Sequence, residues 1–125
     1  MAEFTPILYL KSSCPFCLKV AAFLSEAGVL ASLSIREFWP GDEQEQALRD
    51  ELAPHFGKIT FPTLQYAPGR FMNESDAIIA RYADDLGLNP QTMPFYQYVL
   101  RGPVRRMREQ FSQIQSLNRE LGREG

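Results

Sequence analysis

The chain has 125 residues, of which 45% are apolar and 22% charged, with a formal net charge of -2. Those values are expected of one soluble globular domain with a modest core, and the slight acidity argues against a nucleic-acid partner. No segment approaches the roughly 18 uninterrupted apolar residues of a membrane span, and Met1-Ala2-Glu3-Phe4-Thr5-Pro6 carries no basic leader pattern, so the expected location is cytoplasmic, away from membranes.

Residues 5–10, with the apolar run Ile7-Leu8-Tyr9-Leu10, predict a first strand. A polar turn, Lys11-Ser12-Ser13, leads to a helix over about 15–27, with Phe16, Val20, Phe23, Leu24 and Ala27 on one face and Gly28 as its stop. Alternation over residues 32–38 predicts a second strand. Asp42 caps a second helix over about 43–52. Residues 62–66 and Phe71-Met72, joined by the turn Ala67-Pro68-Gly69-Arg70, predict a hairpin. Ser75 is expected to cap a helix over about 76–86, with Gly87 after it. The order β-α-β-α-β-β-α implies a right-handed parallel crossover, then an antiparallel pair: an α/β fold with a four-stranded mixed sheet flanked by helices. Past Asn89-Pro90 the chain becomes polar and Arg-rich, but Val104, Met107, Phe111, Ile114, Leu117 and Leu121 keep helical spacing. Gly102-Pro103 is expected to break or kink that region, with Phe95, Tyr98, Val99 and Leu100 on a preceding short helix or turn. The division expected is a domain over 1–88 and a C-terminal amphipathic helical extension over 89–125.

The only two cysteines form Cys14-Pro15-Phe16-Cys17 at the strand-to-helix junction. Pro15 is tolerated in the first helical turn. A sulfur at a helix N-terminus feels the positive end of the dipole, which favours its thiolate, and Lys11 adds to that. The second sulfur, one turn on, is within reach to close a disulfide. In a reducing compartment a lone cysteine pair points to catalysis or metal binding. Structural zinc needs four ligands, whereas the chain offers one His and no further Cys, so no metal is expected. Phe61-Pro62 starts a strand with a residue that lacks a ladder donor, leaving the Phe61 main chain open to an extended ligand. Asn73-Glu74-Ser75-Asp76 opens a helix, where free N–H groups favour an anion and Asp76 offers a partner for an ammonium.

With those motifs in that order, the chain resembles the glutaredoxins and the N-terminal domain of glutathione transferases, within the thioredoxin-like fold. The resemblance covers about residues 5–88 and rests on Lys11-Ser12-Ser13-Cys14-Pro15-Phe16-Cys17, Ile59-Thr60-Phe61-Pro62-Thr63-Leu64 and Glu74-Ser75-Asp76-Ala77-Ile78. It implies a cis Pro62 facing the cysteines, and a Phe61 main chain that binds the cysteinyl part of glutathione. It implies that Ser75 and Asp76 hold the γ-glutamyl carboxylate and amino group, with Lys11 near the glycyl carboxylate. Phe16 stands where glutaredoxins commonly have Tyr, and Phe61, a bulkier groove wall, where they usually have Val. Glu74-Ser75 is the transferase-like form of the acidic motif.

The implied activity is glutathione-dependent thiol–disulfide exchange on disulfide-containing or glutathionylated proteins, with Cys14 as nucleophile, Cys17 as its partner and glutathione as co-substrate. The hydrophobic substrate site of a full transferase is not expected, since only about 35 residues remain to shape it. Two alternatives stand beside this. One is a non-catalytic glutathione-binding or partner-docking module; the other is a dimer carrying an iron–sulfur cluster. Arg101, Arg105, Arg106 and Arg108 form a positive cluster, read as a solvated helix face or as a surface for an acidic partner.

Overall fold

A computed structural model describes residues 4–122. Residues 1–3 of the segment inspected for a leader, and residues 123–125 of the extension, lie outside the described residues. In chain order the elements are β1 (Ile7–Lys11), α1 (Pro15–Glu26), β2 (Ser34–Phe38), α2 (Glu43–Leu52), β3 (Thr63–Ala67), β4 (Arg70–Asn73) and α3 (Ser75–Leu86). The sheet order is β2-β1-β3-β4, with β1 and β2 parallel and both other pairs antiparallel. This is the mixed four-stranded sheet that the element order predicts, in the thioredoxin-like arrangement that the resemblance implies.

Strand alternation divides the core in two. Leu8 and Leu10 of β1 join Val20, Phe23 and Leu24 of α1 and Ile78 of α3 on one side of the sheet. Tyr9 points the other way, to Phe38, Leu48 and Leu52 under α2. The Asp42 side chain accepts from the Gln44 and Glu45 N–H groups at 2.9 and 3.0 Å, which holds the start of α2. Gly87 adopts the left-handed conformation that closes α3.

Two local expectations change. Ser75 is not the cap of α3 but its first helical residue. A single residue separates β4 from α3, so the reversal falls on Glu74, at φ 73°, whose carbonyl accepts the first helical bond from Ile78 N–H. Phe16, placed by periodicity on the buried face of α1, is 38% exposed. It sits in the first turn, at the end of the helix, where a groove opens instead of the core.

The extension continues as α4 (Pro94–Val99), a wide π turn (Leu100–Val104) and α5 (Arg105–Glu120). Gly102-Pro103 does not interrupt it. Pro103 has no N–H and its ring would crowd the carbonyl four residues back; the wider turn absorbs both and the chain stays helical. Met93, Tyr96, Val99 and Val104 are buried in the same cluster as α1 and α3. Tyr96 meets Phe23 edge-on, with ring centroids 5.5 Å apart. The Glu26 carboxylate at the end of α1 accepts from the Tyr96 and Phe95 N–H groups at 2.7 and 3.2 Å, supplying the cap that the start of α4 lacks in its own sequence. Beyond Val104, α5 leaves the core, and Phe111, Ile114, Leu117 and Leu121 form an exposed apolar stripe. No helix among the described residues is long and apolar enough to cross a membrane.

Candidate functional site

The β1–α1 loop is held from both ends. Ser12 N–H donates to the Phe38 carbonyl at 2.9 Å, and Cys14 N–H to the Lys11 carbonyl at 3.1 Å. Cys14 is the N-cap of α1 in extended conformation, and Pro15 follows at the first helical position. Both thiols are free; Cys14 is half-buried and Cys17 buried.

Their acidities diverge. The Cys14 thiol is held down to about 6, chiefly by a hydrogen bond from the Cys17 side chain. The Cys17 and Phe16 N–H groups and the Lys11 charge add to this, against the opposing effect of burial. Cys17 moves the opposite way, raised by its bond to Cys14 and by burial. Above about pH 6 the pair therefore holds one proton, on the Cys17 side. The helix start and Lys11, expected to lead, come after the neighbouring thiol, and the Lys11 charge contributes least. The Lys11 backbone N–H instead faces the Cys17 sulfur at 3.3 Å.

The Phe61–Pro62 bond is cis. Pro62 and Thr63 are buried, and the Thr63 hydroxyl donates to the Thr60 carbonyl at 2.6 Å, fixing the entry to β3. The Phe61 ring packs edge-on against Phe38, with centroids 4.9 Å apart, and the Arg49 guanidinium lies 5.5 Å from its centroid. The Phe61 carbonyl lies 3.8 Å from the Cys14 sulfur, a weak contact that the thiol can make as a donor and the thiolate cannot. Ionisation of Cys14 leaves that carbonyl open to another donor.

A groove of about 510 Å³ runs from this point, lined by Phe16, Lys58, Thr60, the Phe61-Pro62 pair and residues 73–76. It brings together Phe16, Phe61, Pro62, Glu74, Ser75 and Asp76 from three distant segments, beside Cys14. Ser75 is buried and Asp76 exposed at the N-terminus of α3. Asp76 already meets an ammonium, that of Lys19 from α1. Glu74 reaches the groove from a backbone conformation rare outside glycine, which costs on the order of 1–3 kcal/mol. Lys11 is not among the groove's lining residues. Together with Cys17 and the exposed Trp39 it lines a separate depression of about 450 Å³. The cation that does line the groove is Lys58, which no sequence motif marked.

A family model described as the glutathione S-transferase N-terminal domain matches residues 8–90. Among solved structures, glutathione transferase Omega 3C from Trametes versicolor is 25% identical, with a TM-score of 0.51 over 80% of this chain and 43% of that one. A glutathione S-transferase from the Antarctic clam Laternula elliptica is 21% identical, with a TM-score of 0.50 over 67% of this chain and 36% of that one. The chain thus spans about two fifths of the length of the solved structures it matches. No curated protein matches it.

Proposed function

The chain belongs to the glutathione S-transferase N-terminal domain family, and on that footing we propose that it is a glutathione-dependent thiol–disulfide oxidoreductase. The observation that carries this reading is the Cys14 sulfur, held near 6 by a thiol that keeps its own proton, beside an open carbonyl and a tripeptide-sized groove.

The groove residues suit glutathione as follows. The Phe61 carbonyl accepts from the cysteinyl N–H, as the carbonyl of an added strand would. Ser75 and the N–H groups at the start of α3 take the γ-glutamyl carboxylate, and Asp76 takes its ammonium in place of Lys19. Lys58, with Glu74 and Phe16 along the walls, replaces Lys11 as the partner for the glycyl carboxylate.

The Cys14 thiolate attacks the glutathione sulfur of a mixed disulfide. The bond to the other thiol breaks, and that thiol leaves as a thiolate and takes a proton from solvent. Cys14 is left joined to glutathione. The thiolate of a second glutathione attacks the glutathione sulfur of this adduct, releasing Cys14 as thiolate and oxidised glutathione as product. Each turnover consumes one free glutathione, whose sulfur is oxidised to the disulfide level as the sulfur of the departing thiol is reduced. To resolve the adduct itself Cys17 would have to give up its proton from a buried position, and burial, which persists once the Cys14 charge is gone, opposes that route. Glutathione at working concentration also places the chain in a reducing compartment, of which the cytoplasm is the default.

The test is turnover of a mixed disulfide of glutathione with a small thiol. Cys14→Ser should abolish it, and Cys17→Ser should retain substantial activity. Equal loss in both variants would replace the single-sulfur route by an obligatory internal disulfide. Absence of turnover in the unmodified protein would leave only a glutathione-binding or docking role.

A further inference from the structure

Beside the glutathione groove lies a second cavity of about 570 Å³, within the roughly 300–1,000 Å³ of small-molecule sites. Phe16 lines both, so its exposed ring stands between them, two residues from the Cys14 sulfur. Leu100 and Val104, at either end of the π turn, supply apolar lining. The cations of the lining are Lys19, Arg105 and Arg108. Two of them are matched: Lys19 pairs with Asp76, and Arg105 with Glu109 at 3.1 Å. Arg108 pairs with no carboxylate among the described residues. Its guanidinium lies over the Phe16 ring, 5.7 Å from the centroid. A cation–π contact of this kind holds the guanidinium near the ring without using its N–H donors, which stay available to a ligand.

We propose that Arg108, in the cavity where the half of the mixed disulfide that is not glutathione lies, selects halves bearing a carboxylate on an apolar body. The inference rests on the glutathione-dependent reading given above. The apolar lining takes the body, and the one uncompensated cation takes the charge, in the two-point geometry that a guanidinium offers a carboxylate. Phe16 separates the two halves across the bond that Cys14 breaks. In sequence Arg108 stands with three other arginines as a solvated face; its cation–π contact with Phe16 sets it apart.

The experiment uses unreactive thioethers, so that binding is read without turnover. The full chain is titrated calorimetrically with S-(4-carboxybenzyl)glutathione and with its uncharged isostere, S-(4-carbamoylbenzyl)glutathione. The carboxylate should bind about tenfold tighter, the scale of one hydrogen bond between charged groups. The preference should shrink as salt is raised. Arg108→Gln should remove the preference without weakening the carbamoyl compound, and Arg108→Lys should keep part of it. Equal binding of the two compounds, or a preference that survives Arg108→Gln, overturns the inference and leaves the oxidoreductase reading standing. Failure of both compounds and of S-methylglutathione to bind at millimolar concentration overturns the two together.

Discussion

At the scale of single residues, a thiolate one helical turn from a protonated thiol is stabilised only while that donor stays in place. Cys17→Ala removes the donor, and Cys17→Ser substitutes a hydroxyl that can still give a hydrogen bond. The pH dependence of Cys14 alkylation should therefore have its midpoint at about 6 in the unmodified protein. It should rise toward the ordinary thiol value of about 8.5 in Cys17→Ala and stay lower in Cys17→Ser. Between those values the unmodified protein reacts and the alanine variant is largely protonated; below pH 6 both slow. An unmoved midpoint in Cys17→Ala would hand the effect back to the helix start and Lys11. The residues legible in the sequence were those with a local mechanism: two cysteines at a helix start, a proline at a strand start, a serine and an aspartate opening a helix. Lys58 was not, because it reaches the groove from a loop with no periodicity to read. Nor was the Lys19–Asp76 pair, which joins residues 57 apart in sequence. Glu74 was legible as part of the acidic motif but its backbone was not, since positive φ announces itself in sequence only when glycine or asparagine stands there.

Among elements, the attachment of α4 to α1 is the least expected feature. Periodicity located α1 and left the stretch that holds α4 as a short helix or turn, and it cannot show that a carboxylate at the end of one closes the start of the other. Glu26→Ala leaves the Phe95 and Tyr96 N–H groups without that acceptor and should cost about 1–2 kcal/mol, the range of a lost helix cap. The loss should appear in thermal unfolding, with faster amide exchange at Phe95 and Tyr96. Unchanged exchange at those two positions would mean that the bond contributes nothing in solution. The π turn was hidden for a related reason. Gly102-Pro103 reads as an end to helix because proline forbids the ordinary bond, whereas the widened turn meets that prohibition and carries Val104 back into the core.

Across the whole molecule, the split at residue 88 that composition suggests is not a split in the core. Met93, Tyr96, Val99 and Val104 are buried with α1 and α3. At about 1.5–3 kcal/mol per buried apolar side chain their gross contribution is about 6–12 kcal/mol. That is the size of the roughly 5–15 kcal/mol of a domain's net stability, before the cost of ordering the segment. A chain ending at Leu88 should therefore lose its cooperative thermal transition; a sharp transition in that fragment would make the extension dispensable. The two sulfurs also lie by different openings, Cys14 against the Phe61 carbonyl at the edge of the groove and Cys17 in the depression beside Trp39. Peroxide entering by the groove meets one thiolate and turns it into a sulfenic acid. The thiol one turn away can condense with that species and expel water, ending the damage at a reducible bond before sulfinic acid forms. Mass spectrometry after peroxide should find an internal disulfide in the unmodified chain and irreversible Cys14 oxides in Cys17→Ala; equal amounts of those oxides in both would deny the buried sulfur any guardian role.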